Sequence, residues 1–386
     1  MPLQDVRDLS AGLSRFFAER HQRLREIKSA GKKNIGYFCS YTPEELILAA
    51  GMHPIRILAD PAEQAGPVDA HLQTFSCAFA RSCLDQLLRG RLDYLDGIVF
   101  PCTCDSLRAV SEITRSIKQE GFFNHFLNMP LRLDGDLPRA YYLRELAILY
   151  RALADFNGRQ ADDQSLEKAI ELADANRGLL KGIWDCRRVK SPPLSGEVCL
   201  GLVNAAVSMD RQEVRGELEK ISLALAADPG KDDLGPGPVR LMVIGSVIDN
   251  PALLGIIEQS GACVVADDLC TGTRYFTGAV GRAAAEGPLE ALARRYLERV
   301  PCPTKHPAGP RLDHLSRLLE DFRVQGVVMV LQKFCEPHAF DYPMIRDHLS
   351  ARGLPVLLLE VEPAHLAAGQ LSTRVQAFVE MLGGGL

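Results

Sequence analysis

The sequence predicts an α/β protein of two domains whose parallel sheets carry helices on both faces. At 386 residues the chain is long for a single hydrophobic core. Its 47% apolar and 24% charged residues are typical of a globular protein. The second half alternates near-continuous apolar strands with helical segments, which indicates a parallel sheet that is buried on both faces.

Apolar runs, caps and turn residues assign the elements along the chain. The first half predicts helices over 7–31, 44–50 and 140–180, and strands over 35–38, 53–58, 95–100 and 126–129. Thr42 is placed to cap the second helix, with Glu45 completing a capping box. The second half predicts helices over 213–227, 251–259, 289–298, 312–322 and 373–382, and strands over 239–244, 263–266, 326–331 and 356–361. Because Ser191-Pro192-Pro193 breaks the helical pattern, we divide the domains at 1–190 and 191–386.

Charge and hydropathy exclude several classes of protein. The net charge of −5 argues against nucleic-acid binding, and no apolar run approaches the roughly 18 residues that span a bilayer. The segment from Met1 to Gly31 is a charged helix without the apolar centre of a signal peptide, so we expect a cytoplasmic protein. The sequence has neither a P-loop nor a dinucleotide fingerprint, which assigns any ATP hydrolysis to another protein.

Eleven cysteines in a cytoplasmic chain favour metal or redox chemistry over disulfides. Four of them directly follow strands or open the next turn, where ligands bind in open parallel sheets: Cys39, Cys104, Cys270 and Cys335. We expect these four to converge on a cleft between the domains, and Cys77 and Cys302 lie in connecting segments that can join them. Thiolate is the ligand that iron–sulfur clusters prefer.

Other interpretations of the cysteines stay open at this point. Unrelated packed thiols and thiol redox chemistry both compete with a metal cluster. Cys186, Cys199 and Cys263 lie inside predicted elements and are expected to pack in the core. In the pair Cys102-Thr103-Cys104 we favour Cys104 as the ligand because Asp105 follows it, although Cys102 remains an alternative to Cys104 or Cys39.

Several motifs, in order along the chain, resemble the 2-hydroxyacyl-CoA dehydratase and benzoyl-CoA reductase family. They are Tyr37-Phe38-Cys39-Ser40-Tyr41-Thr42-Pro43-Glu44-Glu45-Leu46, Cys104-Asp105 with Arg108, Asp267 to Phe276 around Cys270, Phe334-Cys335-Glu336-Pro337, and Gly369-Gln370-Leu371-Ser372-Thr373-Arg374. Because the matches run from about residue 35 to 380, they are more specific than any single motif.

The resemblance implies two flavodoxin-like domains with an oxygen-sensitive, low-potential cluster at their junction. Cys77, Cys104 and Cys335 match the positions that bind the family's 4Fe–4S cluster, which leaves one iron open for chemistry. Electrons would come from a separate dimeric, ATP-hydrolysing iron–sulfur activator. The additional Cys39, Cys270 and Cys302 look like the branch whose members are homodimers that hold a double-cubane cluster and reduce small molecules. The alternative is a single-cluster subunit of a dehydratase, which is a lyase, or of a reductase.

Polar residues beside the cysteines are further candidates. Asp267, Thr271 and Arg274 surround Cys270 and either tune the cluster potential or simply cap a polar turn. Glu336 and His338 follow Cys335 and are candidate proton donors, with a structural role as the alternative. Two rivals from other classes are a non-catalytic electron-relay or scaffold subunit and a plain CoA-binding subunit.

Overall fold

A computed structural model gives the fold of the protein. It describes residue 12 and residues 17–60, 66–118, 120–228, 230, 237–281, 286–362 and 367–383. Within these residues two four-stranded sheets, parallel throughout, are accompanied by helices, which confirms the predicted fold class. None of the described helices combines the length and the apolar character that a bilayer crossing requires.

Both sheets have the same strand order. The first contains β1 (Asn34–Tyr37), β2 (His53–Arg56), β3 (Gly97–Pro101) and β4 (Phe123–Leu127) in the order β2-β1-β3-β4. The second contains β5 (Val239–Gly245), β6 (Ala262–Asp268), β7 (Gly326–Gln332) and β8 (Val356–Val361) in the order β6-β5-β7-β8. In each sheet the order reverses beside the first strand, and ligands bind at the carboxyl ends of strands around such a point.

The helices are named here by their residues. In the first half they are Arg20–Ser29, Glu44–Ala49, Ala78–Leu88, Asp105–Ile117, Asp136–Phe156 and Asp163–Asp185, with a 3₁₀ turn at Pro67–Ala70. In the second half they are Gly196–Ser208, Arg211–Ala227, Ala252–Gln259, Thr273–Phe276, Pro288–Glu298, Gly309–Asp321, Glu336–Ser350 and Ala368–Gly383, with a 3₁₀ turn at Cys186–Arg188.

The two halves of the chain contribute residues to the same apolar cluster. Helix Pro288–Glu298, from the second half, buries Leu292 and Tyr296 in the same apolar cluster as Ile35 and Leu146 of the first half. Such shared cores resist hinge motion, so they hold the junction between the sheets in one arrangement. The division of domains at residue 190 stays a prediction.

The capping box predicted at Thr42 is wrong. Pro43 is the N-cap of helix Glu44–Ala49, and no side chain caps this end of the helix. The Thr42 hydroxyl is buried without a partner among the described residues, while Glu45 accepts a 2.7 Å bond from Arg177. A buried carboxylate gains more from a guanidinium than from a backbone amide, so the ion pair takes the side chain away from the cap.

The sequence analysis missed five of the described helices: Ala78–Leu88, Asp105–Ile117, Gly196–Ser208, Thr273–Phe276 and Glu336–Ser350. The single helix predicted over 140–180 is two helices, Asp136–Phe156 and Asp163–Asp185, and one strand is displaced. Gly196–Ser208 is buried from Cys199 to its last residue and therefore has no amphipathic pattern. Glu336–Ser350 contains Pro343, which argues against a helix interior. The fourth predicted strand, 126–129, is found at Phe123–Leu127. The start of the predicted helix 7–31 lies largely outside the described residues, and its described part is Arg20–Ser29.

Candidate metal centre

All six candidate cysteines line one cavity. It has a volume of about 720 Å³ and lies where the carboxyl ends of the strands of both sheets meet. The thiols that line it are those of Cys39, Cys77, Cys104, Cys270, Cys302 and Cys335. Cysteines up to 296 positions apart in the chain therefore lie in one place, because parallel strands end at the same edge of a sheet.

Three of the cysteines occupy the same position relative to a helix. Cys77, Cys104 and Cys335 are the N-caps of helices Ala78–Leu88, Asp105–Ile117 and Glu336–Ser350, and we call them the helix-capping cysteines. The start of a helix carries unpaired N–H groups and a partial positive charge, which favours thiolate over thiol. Each helix thus provides an electropositive setting for one ligand.

The chain before Cys335 adopts an unusual conformation to reach this position. Phe334 has φ of 64°, in the left-handed region that non-glycine residues rarely adopt. The amide of Cys335 donates to the carbonyl of Gln332 at 2.9 Å, so a tight turn links the end of β7 to the next helix. Such strain costs about 1–3 kcal/mol and is concentrated at functional sites.

Two of the helix-capping cysteines interact directly. The pKa of Cys77 is lowered to about 7, mainly because the Cys335 thiol donates a hydrogen bond to it, with the amides of Ala80 and Phe79 adding to the effect. The same bond, together with burial, raises the pKa of Cys335. Burial also raises the pKa of Cys104 to about 12, against a lowering by the amide of Leu107. The contact with Cys335 therefore favours the thiolate form of Cys77.

The other three cysteines lie in loops, and we call them the loop cysteines. Cys39 follows β1, Cys270 follows β6, and Cys302 lies between helices Pro288–Glu298 and Gly309–Asp321. All three are buried, with less than 10% of their surface exposed. They are close enough for the charges of Cys302 and Cys39 to raise the pKa of Cys270, which burial, the largest cause, brings to about 11.

Buried cations surround the loop cysteines. Arg274 donates from Nη1 to Sγ of Cys270 at 3.6 Å, and Arg56 donates from Nη1 to the Cys270 carbonyl at 2.8 Å. Lys305 is 4% exposed and donates to the carbonyls of Cys102 and Pro130. These cations lower the free energy of an anionic centre on this side of the cavity.

The donor set fits an iron–sulfur cluster better than a single metal ion. Among the described residues, no three or more His, Cys, Asp or Glu side chains come together closely enough to hold one ion. Six soft thiol donors that line a roomy cavity without converging on one point suit a cluster, whose ligands bind different iron atoms. The residues present therefore fit the cofactor that the sequence implied.

Comparison with known proteins identifies the family. The family described as 2-hydroxyglutaryl-CoA dehydratase, D-component, matches residues 39–382. This chain belongs to that family.

Relatives of this family align along nearly the whole chain. The (R)-phenyllactyl-CoA dehydratase beta subunit of Clostridium sporogenes is 25% identical, with 93% of this chain and 94% of that protein covered. The beta subunit of (R)-2-hydroxyglutaryl-CoA dehydratase from Acidaminococcus fermentans is 26% identical over 93% and 95%. One of the subunits of benzoyl-CoA reductase from Thauera aromatica is 29% identical over 86% and 87%. The resemblance drawn from the motifs is confirmed.

The polar residues predicted around Cys270 divide into two kinds. The hydroxyl of Thr271 donates to the carbonyl of Ile248 at 2.6 Å, and Asp267 accepts from the amide of Thr273 at 2.9 Å, so both hold the turn together. Burial raises the pKa of Asp267 to about 6. Arg274 instead touches the Cys270 sulfur itself, which makes it the one of the three with a direct route to the centre.

The two candidate proton donors differ in burial. Both line the cavity, but Glu336 is exposed whereas His338 is buried, with its Nδ1 3.5 Å from Sγ of Cys335. Burial lowers the pKa of His338 well below its ordinary value, so a neutral imidazole is favoured in the metal-free protein. Glu336 is the better placed of the two to exchange protons with water.

Residues beyond the predicted set also line the cavity. Arg56 and Gln332 have buried polar atoms without hydrogen-bond partners among the described residues, at Nε and Nη2 of Arg56 and Oε1 of Gln332. Arg56 lies inside the predicted strand 53–58, where a single charged residue in an otherwise apolar run was the available signal. Cys102 is absent from the cavity lining, and Cys199 is buried in a separate apolar core.

Large apolar side chains surround the mouth of the cavity. Phe75, Leu131, Phe334 and Phe340 all contribute to its lining and are exposed, Phe340 by 83%. Exposed aromatic clusters next to a functional cavity are typical of surfaces that bind another protein.

Proposed function

We propose that this protein is an iron–sulfur oxidoreductase whose six cysteines hold a double-cubane cluster. The observation that carries the proposal is the presence of two groups of three thiols on one cavity, the helix-capping cysteines and the loop cysteines. Three thiolates for each cubane is the number that leaves room for a shared bridging ligand. The family membership supports an enzyme of the dehydratase and reductase type.

The side chains around the centre have distinct tasks. A cluster bound here supplies single electrons at low potential to a small substrate. Helix N-termini and buried cations stabilise the thiolate form of the ligands, because both place positive charge near the sulfur atoms. Phe38 and Phe79 are buried in the cavity lining and exclude water from the sulfur atoms, which is one way that proteins adjust cluster potentials. Glu336 exchanges protons at the open side.

An alternative is a single 4Fe–4S cluster on the helix-capping cysteines alone. The relatives named above are subunits of dehydratases and of a reductase, which favours a subunit that works with a second chain. In that case the loop cysteines pack and the activity is that of a lyase or reductase on an acyl-CoA. A non-catalytic electron relay is a further version of this alternative.

Iron and acid-labile sulfide per chain, measured after purification without oxygen, test the proposal. A double cubane gives about eight irons with slightly more sulfide, and a single cluster gives about four. An electron paramagnetic resonance spectrum of the reduced protein identifies the type of cluster. A chain without iron under strictly anaerobic handling contradicts both versions.

The proposal includes two partners, an ATP-hydrolysing iron–sulfur activator and a second copy of this chain. The activator would dock on the apolar mouth formed by Phe75, Leu131, Phe334 and Phe340, since electrons must enter near the cysteines. Its docking is tested by Phe340→Asp, which should weaken electron transfer from the reduced activator. Leu223→Asp is the matched control because Leu223 is 73% exposed and lies outside the cavity lining. Equal effects of both substitutions would contradict this docking site.

The mass of the purified protein in solution tests the homodimer. A mass twice that of one 42.4 kDa chain supports it, whereas a monomer that gains activity only with a second type of subunit supports the alternative. The proposal also needs a reducing compartment such as the cytoplasm, where thiols stay reduced.

A further inference from the structure

Arg56 is a buried cation, and some of its N–H groups have no acceptor among the described residues. It is the last residue of β2, is 1% exposed, and lines the cavity beside Cys39 and Cys270. Nη1 donates to the Cys270 carbonyl at 2.8 Å. Nε and Nη2 are buried and have no hydrogen-bond partner among the described residues. Because a guanidinium carries five N–H donors and stays protonated, most of its binding capacity is unused.

Burial of these N–H groups without an acceptor lowers the stability of the folded protein. A buried donor without a partner costs about 1–3 kcal/mol, and an uncompensated buried charge costs more. Other buried arginines of the junction have carboxylate partners: Arg177 with Glu45, Arg211 with Glu44 and Arg274 with Asp268, at 2.6–2.8 Å. In the part of the chain that the structure describes, no carboxylate forms an ion pair with Arg56. The buried Asp249 interacts with its charge from a longer distance but accepts a hydrogen bond from the amide of Ala59. An acceptor for the unpartnered N–H groups of Arg56 would therefore come from the cavity.

The cavity offers sulfur as that acceptor. Cys39 and Cys270 line it together with Arg56, and Arg56 already holds the loop that carries Cys270 through the carbonyl bond. A substrate anion is a less suitable acceptor, because the side chain is almost completely buried whereas substrate must enter from the open mouth.

We propose that Arg56 donates its Nε and Nη2 N–H groups to thiolate sulfur on the loop-cysteine side of the cavity and so sets the charge balance of the metal centre. It is a positioning residue, since it acts through Cys39 and Cys270. This inference rests on the proposed function, because thiolates are present there only when metal is bound. Hydrogen bonds and positive charge near cluster sulfur favour the reduced state, so Arg56 raises the reduction potential.

The test compares Arg56→Met, Arg56→Lys and Arg187→Met with the wild-type protein, all purified without oxygen. Iron and sulfide per chain are measured first, and then the midpoint potential by a titration followed with electron paramagnetic resonance. Arg187→Met is the matched control because Arg187 is also fully buried with two unpartnered nitrogens, but lies against Trp184 in a core outside the cavity lining.

Arg56→Met should retain iron and shift the midpoint potential to more negative values, by about 59 mV for a tenfold loss in the one-electron equilibrium constant. Arg56→Lys should shift it less, because an ammonium keeps the charge but lacks the planar fork. Arg187→Met should leave the potential unchanged. If Arg56→Met does not fold, the shift in Arg56→Lys decides.

Two results would overturn the assignment. One is a wild-type potential in an Arg56 variant that retains its iron. The other is an unchanged potential together with an affinity for acetate, used as a carboxylate probe, that is lower in the Arg56 variants than in the wild-type protein, which would make Arg56 a subsite for a substrate anion. A wild-type protein without iron is a different outcome, because it removes the proposed function and not the role of Arg56 alone.

Discussion

The helix-capping cysteines and the loop cysteines face the same cavity but are stabilised in different ways. Cys77, Cys104 and Cys335 each begin a helix of 11 to 15 residues, so backbone amides provide the positive potential. The loop cysteines have no such helix start, and buried side-chain cations take its place. The first arrangement belongs to the fold, whereas the second depends on individual residues.

The two groups of cysteines should differ in how well they tolerate substitution of neighbouring residues. Backbone compensation survives almost any side-chain substitution nearby, because helix dipoles depend on main-chain geometry. Side-chain compensation is lost with a single residue such as Arg56 or Arg274. A chain of this fold can therefore lose the loop cysteines as ligands while the helix-capping cysteines still bind a cluster. The double-cubane proposal and the single-cluster alternative differ in whether the loop cysteines bind.

Substitution of a helix-capping cysteine should have the largest effect. Cys335→Ser removes a thiol that also donates a hydrogen bond to Cys77, so two of the three ligands on this side are disturbed. We expect bound iron to fall by about half or more, because serine is a poor ligand for iron–sulfur clusters. Iron and sulfide per chain measure the effect. Wild-type iron content in this variant would show that Cys335 is not a ligand.

Substitution of loop cysteines should have a smaller effect and distinguishes the two cluster types. Cys270→Ser and Cys302→Ser should each lower bound iron by about half and leave the spectrum of one cubane. The remaining signal should disappear only when Cys335→Ser is added. If both single variants retain all their iron, the single-cluster alternative is correct and the loop cysteines pack.

The sequence predicted that Cys39, Cys104, Cys270 and Cys335 lie together because each follows a strand of a parallel sheet. Apolar runs ended just before Cys104, Cys270 and Cys335, and parallel strands place their carboxyl ends at one edge. The resemblance separated Cys77, Cys104 and Cys335 from the other three cysteines, but the physical basis of that division could not be predicted. It depends on which cysteines cap helices, and the sequence analysis missed helices Ala78–Leu88, Asp105–Ile117 and Glu336–Ser350. Arg56 was also missed, because unpartnered buried atoms become visible only once the neighbours of a side chain are known.

A third prediction concerns the ionic network that holds the Cys39 loop against the second half of the chain. Glu44 accepts from Arg211 at 2.6 Å and from the hydroxyl of Tyr275 at 2.7 Å. Glu44→Gln leaves Arg211 buried without its counter-charge, so we expect the metal-free protein to lose about 3–5 kcal/mol of unfolding free energy. Urea denaturation at pH 7 measures the loss, and iron content should fall more on the loop-cysteine side.

The same network gives a pH dependence with a defined sign. Burial alone would raise the pKa of Glu44, but Arg211 and Arg177 outweigh it and lower the value to about 2, from 4.5 in an exposed glutamate. A depressed pKa in the folded state stabilises the protein above pH 4.5, and this contribution of about 3 kcal/mol is lost as the pH falls toward 2. Glu44→Gln should therefore flatten the stability curve of the metal-free protein in this window, and equal slopes in both proteins would contradict the assignment.

The smallest effect on the metal centre should come from a cysteine that lies outside both groups. Cys199 is 1% exposed in the core that contains Trp184 and Leu315, and it does not line the cavity. Burial raises the pKa of its thiol, although Arg187 partly offsets this effect. Cys199→Ala should cost about 1 kcal/mol of unfolding free energy through the small cavity it leaves, with iron and sulfide unchanged. Loss of iron in this variant would mean that a cysteine need not lie at the end of a strand to bind metal. The contrast between strand-end cysteines and core cysteines would then no longer explain the site.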